Sequence, residues 1–482
     1  MHRAENLGIK CKYIAIEVLE LLDEKRLLQI IKENKKLQML MNRNIFDYKN
    51  NYKIFSSIEI EIKSSETLGK FINLDNKDEG KKEREKNYRI YFNDSKVETK
   101  KTKNKYYLDE SDKVTKIRIL VGYKEKSFDQ LFMECDGIES INFRKFYRNN
   151  IESMIDMFYE CTSLKEINLK NFNTDNVTDM SYMFNCCSLL KELDLTSFNT
   201  SNVKEFFGMF HGCTSLEKIN VSTFDTTNAT EMSKMFAKCP SLKELDLSNF
   251  NTENVDLMIK MFDQCLNLKE INVSNFKVEN VDNMDKMFSG CKSLKSLDLS
   301  NWNTESVKNI SFMFSNCTAL EEIDLSSFNT SNVDSMEGLF SGCSSLKEID
   351  LSNFNTHNLN KTNDMFAKCT SLNQINLSNI ITNDVFNMSE MFLGCSSLKK
   401  LNLASFNTDG VNDMREMFSG CTELEKLDIY NFNFANVQNK EKIFSGCKLL
   451  KKINLSQDQI HFLDKEVVKD CSKELAITSE FK

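Results

Sequence analysis

The chain has 482 residues, 28% of them charged, and a formal net charge of −8. That balance offers no basic stripe for nucleic acid, and no apolar run approaches the roughly 18 residues of a membrane span. A single Pro and 14 Gly leave little material for flexible linkers, so the length means several domains or one long array.

The opening, MHRAENLGIKCKYIAIEVLELL, lacks the charged start, apolar core and small-residue cleavage site of a secretory signal. A cytoplasmic location is expected from this, with the cell surface or secretion as the alternative. Ile14, Val18, Leu21 and Leu22 make one apolar face of a helix, and Leu27, Leu28, Ile30, Ile31 and Leu37 extend it. Residues 1–56 therefore read as a helical N-terminal module. The stretch Ile14 to Leu40 loosely resembles an F-box, which implies a substrate receptor of a ubiquitin ligase.

Residues 57–121 alternate between apolar runs and charge. Ile58–Ile62, Tyr88–Phe92 and Ile117–Val121 have the period of half-buried strands. A charged loop, Asn76–Asn87, and a lysine-rich stretch, Lys96–Lys105, lie between them. The region reads as a β-containing module that caps whatever follows.

Residues 122–456 are a repeat. Cys135, Cys161, Cys187, Cys213, Cys239, Cys265, Cys291, Cys317, Cys343, Cys369, Cys395, Cys421 and Cys447 follow one another at steps of 26. Phe184, Phe210, Phe236, Phe262 and Phe288 keep the same step, three residues before the cysteine. A second aromatic column runs from Phe172 through Phe250 and Trp302 to Phe432, with Ile380 as its aliphatic member. Within one unit, Ile167 and Leu169 alternate with polar residues, as in a strand. Asn173, Thr174 and Asn176 form a turn cluster. Val177, Met180, Met183 and Phe184 are spaced as a short helical stripe. One unit cannot bury its own apolar face, whereas stacked units form a continuous core. The expected fold is α/β: a leucine-rich-repeat-like solenoid of about 13 strand–turn–short-helix rungs with parallel strands, on the order of 60 Å long. Residues 457–482 would close it with an amphipathic helix over Gln459–Glu474.

The recurring MF-x-G-C-x-S-L-K-E-L-D-L-S-x-F-N-T-x-N-V text, as in Met287 to Val307 and Met391 to Val411, resembles the BspA-like leucine-rich-repeat surface proteins of bacteria and protists. The resemblance covers about residues 130–455. It implies adhesion or host-protein binding for secreted members.

No constellation in the sequence reads as catalytic, and no cofactor is implied. Four histidines are scattered, and His211 alone lies among the repeat cysteines, near the vicinal pair Cys186 and Cys187. That spacing does not bring four metal ligands together. The column cysteines read as buried thiols, and the methionines as core. The recurrent Asn176, Asn202, Asn228 and Asn254 read as backbone partners in the turn. Function then falls to the outward strand columns at 166, 168 and 170. Asp298, Asp324 and Asp350 recur on consecutive rungs, flanked by Glu322 and Glu348, and Lys400, Lys426 and Lys452 make the far end basic. These eight residues are the candidate site for a protein partner. The reading is a non-enzymatic scaffold for a protein partner, without nucleic acid and without membrane insertion, with the ligase receptor or a surface adhesin as alternatives.

Overall fold

The computed structural model describes residues 56–74, 84–99, 106–463, 467–468 and 471–478. Apart from Ser56, the expected helical module and its F-box-like stretch lie outside these residues. So do much of the Asn76–Asn87 loop and the Lys100–Lys105 end of the lysine-rich stretch.

The cap is a β-module. β1 (Ile58–Ser64) alternates as the sequence predicts, with Ile58, Ile60 and Ile62 fully buried. β2 (Gly69–Lys70) and β4 (Tyr107–Leu108) form a small pair beside it. β3 (Tyr88–Phe92), β5 (Lys116–Val121) and β6 (Ile138–Lys145) complete the main sheet. Its order is β3-β5-β1-β6-β7, where β7 (Glu166–Asn168) belongs to the first full rung. β6 runs antiparallel to β1 and parallel to β7. The cap sheet thus continues into the solenoid, and the first rung has no open edge.

Most later rungs add a strand of two or three residues: β8 (Glu192–Asp194), β9 (Lys218–Asn220), β10 (Glu244–Leu245), β11 (Glu270–Ile271), β12 (Glu348–Asp350), β13 (Gln374–Asn376), β14 (Lys400–Asn402), β15 (Lys426–Asp428) and β16 (Lys452–Asn454); the two rungs between β11 and β12 add none. Pairing between them is parallel and steps by one repeat, as in Ile349↔Ile375 and Leu427↔Ile453. A second wall is a ladder of single parallel bridges, from Ser127↔Ser153 to Asp413↔Asn439.

The expected short helices are absent from the described rungs. The stripe of Met180, Met183, Phe184 and Cys187 is buried, as its spacing demands, but its backbone is a run of tight turns. Two residues per rung, four apart, take left-handed φ: Tyr182 (55°) and Cys186 (55°), then Gly208 (58°) and Gly212 (74°). No α-helix passes through such residues. Alternate N–H groups instead reach the next rung. Met180 donates to Glu205, Tyr182 to Phe207, Phe184 to Met209 and Cys186 to His211, over 2.7–3.0 Å. The N–H groups between them close turns onto their own chain, as in Met183 to Met180. From Met180 to Cys187 each donor is satisfied without a helix, and the fold is all-β in its described rungs. Gly208 and Gly338 also make room for a ring. A Cβ at Gly338 would lie 2.2 Å from Phe312 of the preceding rung, and one at Gly208 would lie 2.8 Å from Tyr182.

Inside, side chains of one type form stacks. Phe158, Phe184, Phe210, Phe236, Phe262 and Phe288 lie ring over ring, their centroids 5.3–5.9 Å apart. The same stack runs on to Phe444. In the second column Trp302 stacks between Phe276 and Phe328, and its indole N–H donates to Val273 O at 3.1 Å.

Buried threonines tie the rungs at the turn. Thr252 Oγ1 donates to Lys277 O and accepts Lys277 N–H, each at 2.8 Å. Thr174 with Asn199, and Thr330 with Asn355, repeat the device. Thr252→Val removes both bonds and keeps the shape, so it is expected to cost about 1–3 kcal/mol. The natural Val278 in the same column shows that one such loss is tolerated. Urea melts of the two proteins check this, and equal midpoints would show that the bonds contribute nothing net.

The C-terminal helix is also corrected. Gln457–Phe462 is one 3₁₀ segment, and β17 (Ala476–Thr478) adds a final parallel strand to β16. An open strand edge is better satisfied by another strand than by a helix laid across it.

Candidate functional site

The outward strand columns carry the candidate residues, and the structure sorts them into three kinds. Asp298 and its equivalents sit where the strand meets its turn. Asp298 Oδ1 accepts the backbone N–H of Ser300 at 3.1 Å and its hydroxyl at 2.7 Å. Asp324 accepts Ser326 N–H and Asp350 accepts Ser352 N–H, both at 2.9 Å. Asn220, Asn272 and Asn376 make the same bond on their rungs. The Asp/Asn column is therefore an Asx turn first, which explains why the two residues interchange there.

Hydrogen bonds to the Ser300 hydroxyl and N–H hold the Asp298 carboxyl below its ordinary range. Ser326 and Ser352, N–H first, do the same for Asp324 and Asp350. A folded pKa below the unfolded one gives stability that is present above about pH 3.9 and lost as pH falls through the folded value. The triple variant Asp298→Asn, Asp324→Asn, Asp350→Asn keeps the turns and removes that titration. Its thermal midpoint is expected to fall less than the wild type's between pH 5 and pH 2.5, while matching it at pH 7. Parallel acid curves would assign the bonds no role.

The second kind lines a groove. Glu322, Asp324, Glu348 and Asp350 border a depression of about 760 Å³ floored by Leu297, Ile323, Leu325, Ile349 and Ile375. Asp298 is not among its lining residues, although Ser296 and Leu297 of the same rung are. The groove lies where the ladder is open: Ser296–Asp298 and Glu322–Asp324 carry no paired strand, and pairing resumes at β12. Stacked like charge is not peculiar to this place, because Glu244 and Glu270 are also in register. The open ladder and the apolar floor are what set it apart.

The third kind is the basic end. Lys400, Lys426 and Lys452 are direct neighbours in register on β14, β15 and β16. They lie outside the groove and form a separate ladder.

The cysteines have a role that spacing alone did not show. Each column thiol from Cys161 to Cys447 donates to the carbonyl of a Phe 29 residues earlier, as Cys187 does to Phe158 at 3.2 Å and Cys317 to Phe288 at 3.2 Å. Burial pushes Cys161, Cys213 and Cys317 up to about 12. The Asn column bonds backward across the rungs: Asn202 Nδ2 reaches Asp175 O and Asn254 reaches Thr227 O, over 2.7–2.8 Å. His211 shares a 3.1 Å hydrogen bond with Asn185. Among the described residues no group of three or more His, Cys, Asp or Glu is placed to hold a metal ion. No described helix is long and apolar enough to cross a membrane.

Among solved structures, the chain is similar to a leucine-rich cell surface protein from Faecalibacterium prausnitzii, at 19% identity over 69% of this chain and 77% of that one, with a TM-score of 0.32. A leucine-rich-repeat protein from Eubacterium ventriosum aligns at 15% identity over 57% of this chain and 90% of that one, TM-score 0.25. A leucine-rich-repeat protein of T. pallidum aligns at 18% over 41% and 71%, TM-score 0.23. No curated protein matches the chain. The profile of the family DUF285, described as "Mycoplasma protein of unknown function", matches residues 126–244, 216–323, 291–382 and 374–481. Those overlapping matches run through nearly the whole solenoid, and the chain belongs to the DUF285 family.

Proposed function

We propose that the protein is a non-enzymatic binding array whose strand face takes a basic segment of a partner protein. The groove over Ile323 and Ile349 carries this reading. It joins an apolar floor to the carboxylates of Glu322, Glu348, Asp324 and Asp350. An extended chain with Lys or Arg side chains would lay its aliphatic stems on the floor and its charges on the rim. The ladder Lys400, Lys426 and Lys452 would repel the basic segment and fix its direction along the solenoid.

The test uses a panel of extended peptides at low salt. Lysine- and arginine-rich members should bind, and binding should weaken as salt rises. Glu322→Gln with Glu348→Gln should weaken it, because both side chains are exposed and off the Asx turns. If basic and acidic peptides bind alike, or if the variant binds unchanged, the groove is not the site.

A second reading is an adhesin displayed at the cell surface, which the resemblance to BspA-like proteins implies. The thiols do not argue against it. Burial keeps the column from reagents in any compartment, so free thiols there are compatible with either location. Impermeant labelling of intact cells decides between the locations.

A further inference from the structure

The turn wall carries a cleft that the strand-face reading does not use. Glu134, Asp156, Tyr159, Glu160, Asp179 and Tyr182 line a depression of about 660 Å³ on its first rungs. Glu134 is exposed and the other five are half-buried, so all six reach solvent. The two tyrosine rings meet edge to face, their centroids 6.2 Å apart. Among the described residues no lysine or arginine pairs with the four carboxylates. Asp156 Oδ2 accepts Gln130 Nε2 at 3.3 Å, and Asp179 Oδ1 accepts Ser181 N–H at 2.8 Å. Glu160 meets the Tyr159 hydroxyl. Negative charge gathers here. Burial raises the Asp156 carboxyl against the bond from Gln130, and the charges of Asp129 and Asp179 raise it further.

The solenoid itself shows what completes such a place. Tyr182 and Phe312 occupy the same column of the repeat. Each ring packs against a glycine of the following rung, Gly208 or Gly338. Phe312 also takes Lys286 from the preceding rung. The Lys286 Nζ stands 4.4 Å over the ring and 3.2 Å from Asp285 Oδ1, an ammonium held by a ring and a carboxylate together. Lys234 lies over the Phe207 ring in the same way, at 5.0 Å. At Tyr182 the preceding rung offers Asp156 where Phe312 has a lysine, and the cleft opens on that side. The ring and the carboxylate are present there, and the ammonium must come from outside the chain.

We propose that this cleft binds the ammonium group of an alkylamine, seated on the Tyr182 ring beside Asp156. Glu134, Glu160 and Asp179 add negative potential around it. The ligand group has the chemistry of the lysine head on Phe312: a positive charge for the ring and N–H donors for the carboxylates. The cleft falls within the usual size of small-molecule sites, so it has space for the chain that bears the amine. A free polyamine and a lysine of another protein both present such a group.

The experiment is a ligand-observed NMR titration of the whole chain with butane-1,4-diamine and with a blocked lysine peptide, against sodium chloride at one ionic strength. Saturable binding is expected, with the protons next to nitrogen shifted upfield by the ring. Tighter diamine binding assigns a free polyamine, and tighter peptide binding a protein lysine. Asp156→Lys should fold, because Lys234, Lys260 and Lys286 stand in this column with the same left-handed φ. Its own ammonium should then occupy the ring and abolish binding. Tyr182→Leu should weaken binding about two- to thirtyfold, the loss of one cation–ring contact. Glu322→Gln with Glu348→Gln should leave diamine binding unchanged, which separates this cleft from the strand-face groove. If Asp156→Lys does not fold, as judged by circular dichroism, Tyr182→Leu decides alone. No saturable binding, binding that survives Asp156→Lys, or unchanged affinity in Tyr182→Leu would overturn the proposal.

Discussion

Raising the pH from 7.5 to 9.5 under reducing conditions is expected to unfold much of the solenoid. The thirteen column thiols are buried, and burial raises the pKa of each, to about 12 for Cys265 and Cys369. In the unfolded chain the same thiols ionise near pH 8.5. Above that pH the unfolded state binds fewer protons than the folded one, so stability falls as pH rises. At pH 9.5 each unfolded thiol gains about 1.4 kcal/mol from ionisation, and thirteen gain roughly 18 kcal/mol. At roughly 0.05–0.15 kcal/mol per residue an array of about 335 residues is held by about 17–50 kcal/mol, so the loss is of the same order as its stability. Trp302, fully buried at mid-array and the chain's one tryptophan, reports the event. Its emission should shift to the red between pH 9 and 10. Changing Cys265, Cys291 and Cys317 to Ala should shallow the pH slope around those rungs. A fluorescence signal flat to pH 10.5 would show that the thiols titrate alike in both states.

Phe250→Asp should be the most damaging single change in the array. Phe250 is 3% exposed and stacks on Phe224 at 6.3 Å between centroids. A carboxylate there has no partner, and burying it costs several kcal/mol even after it takes up a proton. Each rung touches its neighbours alone, so the damage should be local. Hydrogen exchange should lose protection around residues 224–276, while β14, β15 and the cap sheet keep theirs. Phe250→Ile should be mild, because Ile380 fills the same column and is fully buried. Unchanged protection across the array in Phe250→Asp would refute the stacked core.

The strand face and the turn wall divide the work of the molecule. The turn wall satisfies its backbone across rungs and stacks its Phe, Met and Cys side chains inward. The strand face, with shorter pairing, leaves its outward columns free to vary between Glu, Lys, Ser and Gln. A change at Glu322 or Glu348 therefore alters charge without touching the core, whereas Asp324 must stay Asp or Asn to hold its turn.

The sequence by itself determined the period, the core and the parallel stacking. Cysteines and aromatics in phase at 26 residues leave no other way to bury their side chains, and the alternation at Ile58–Ile62 and Ile117–Val121 placed two cap strands. The spacing of Met180, Met183 and Phe184 correctly marked an inward face but not its backbone. A period near three is shared by a helix and by consecutive tight turns, and only the partner of each N–H separates them. That partner lies about 25 residues away, as from Phe184 to Met209, where no local pattern reaches. One signal was present: glycine recurs just before the cysteine at Gly212, Gly290 and Gly342, and left-handed φ belongs there. Tertiary structure alone decided the rest. It bound Asp298 into a turn, gathered Glu322 and Glu348 over an open stretch of ladder, and brought the Tyr159 and Tyr182 rings edge to face. Each depends on which distant groups meet, because desolvation and hydrogen bonding are set by neighbours in space.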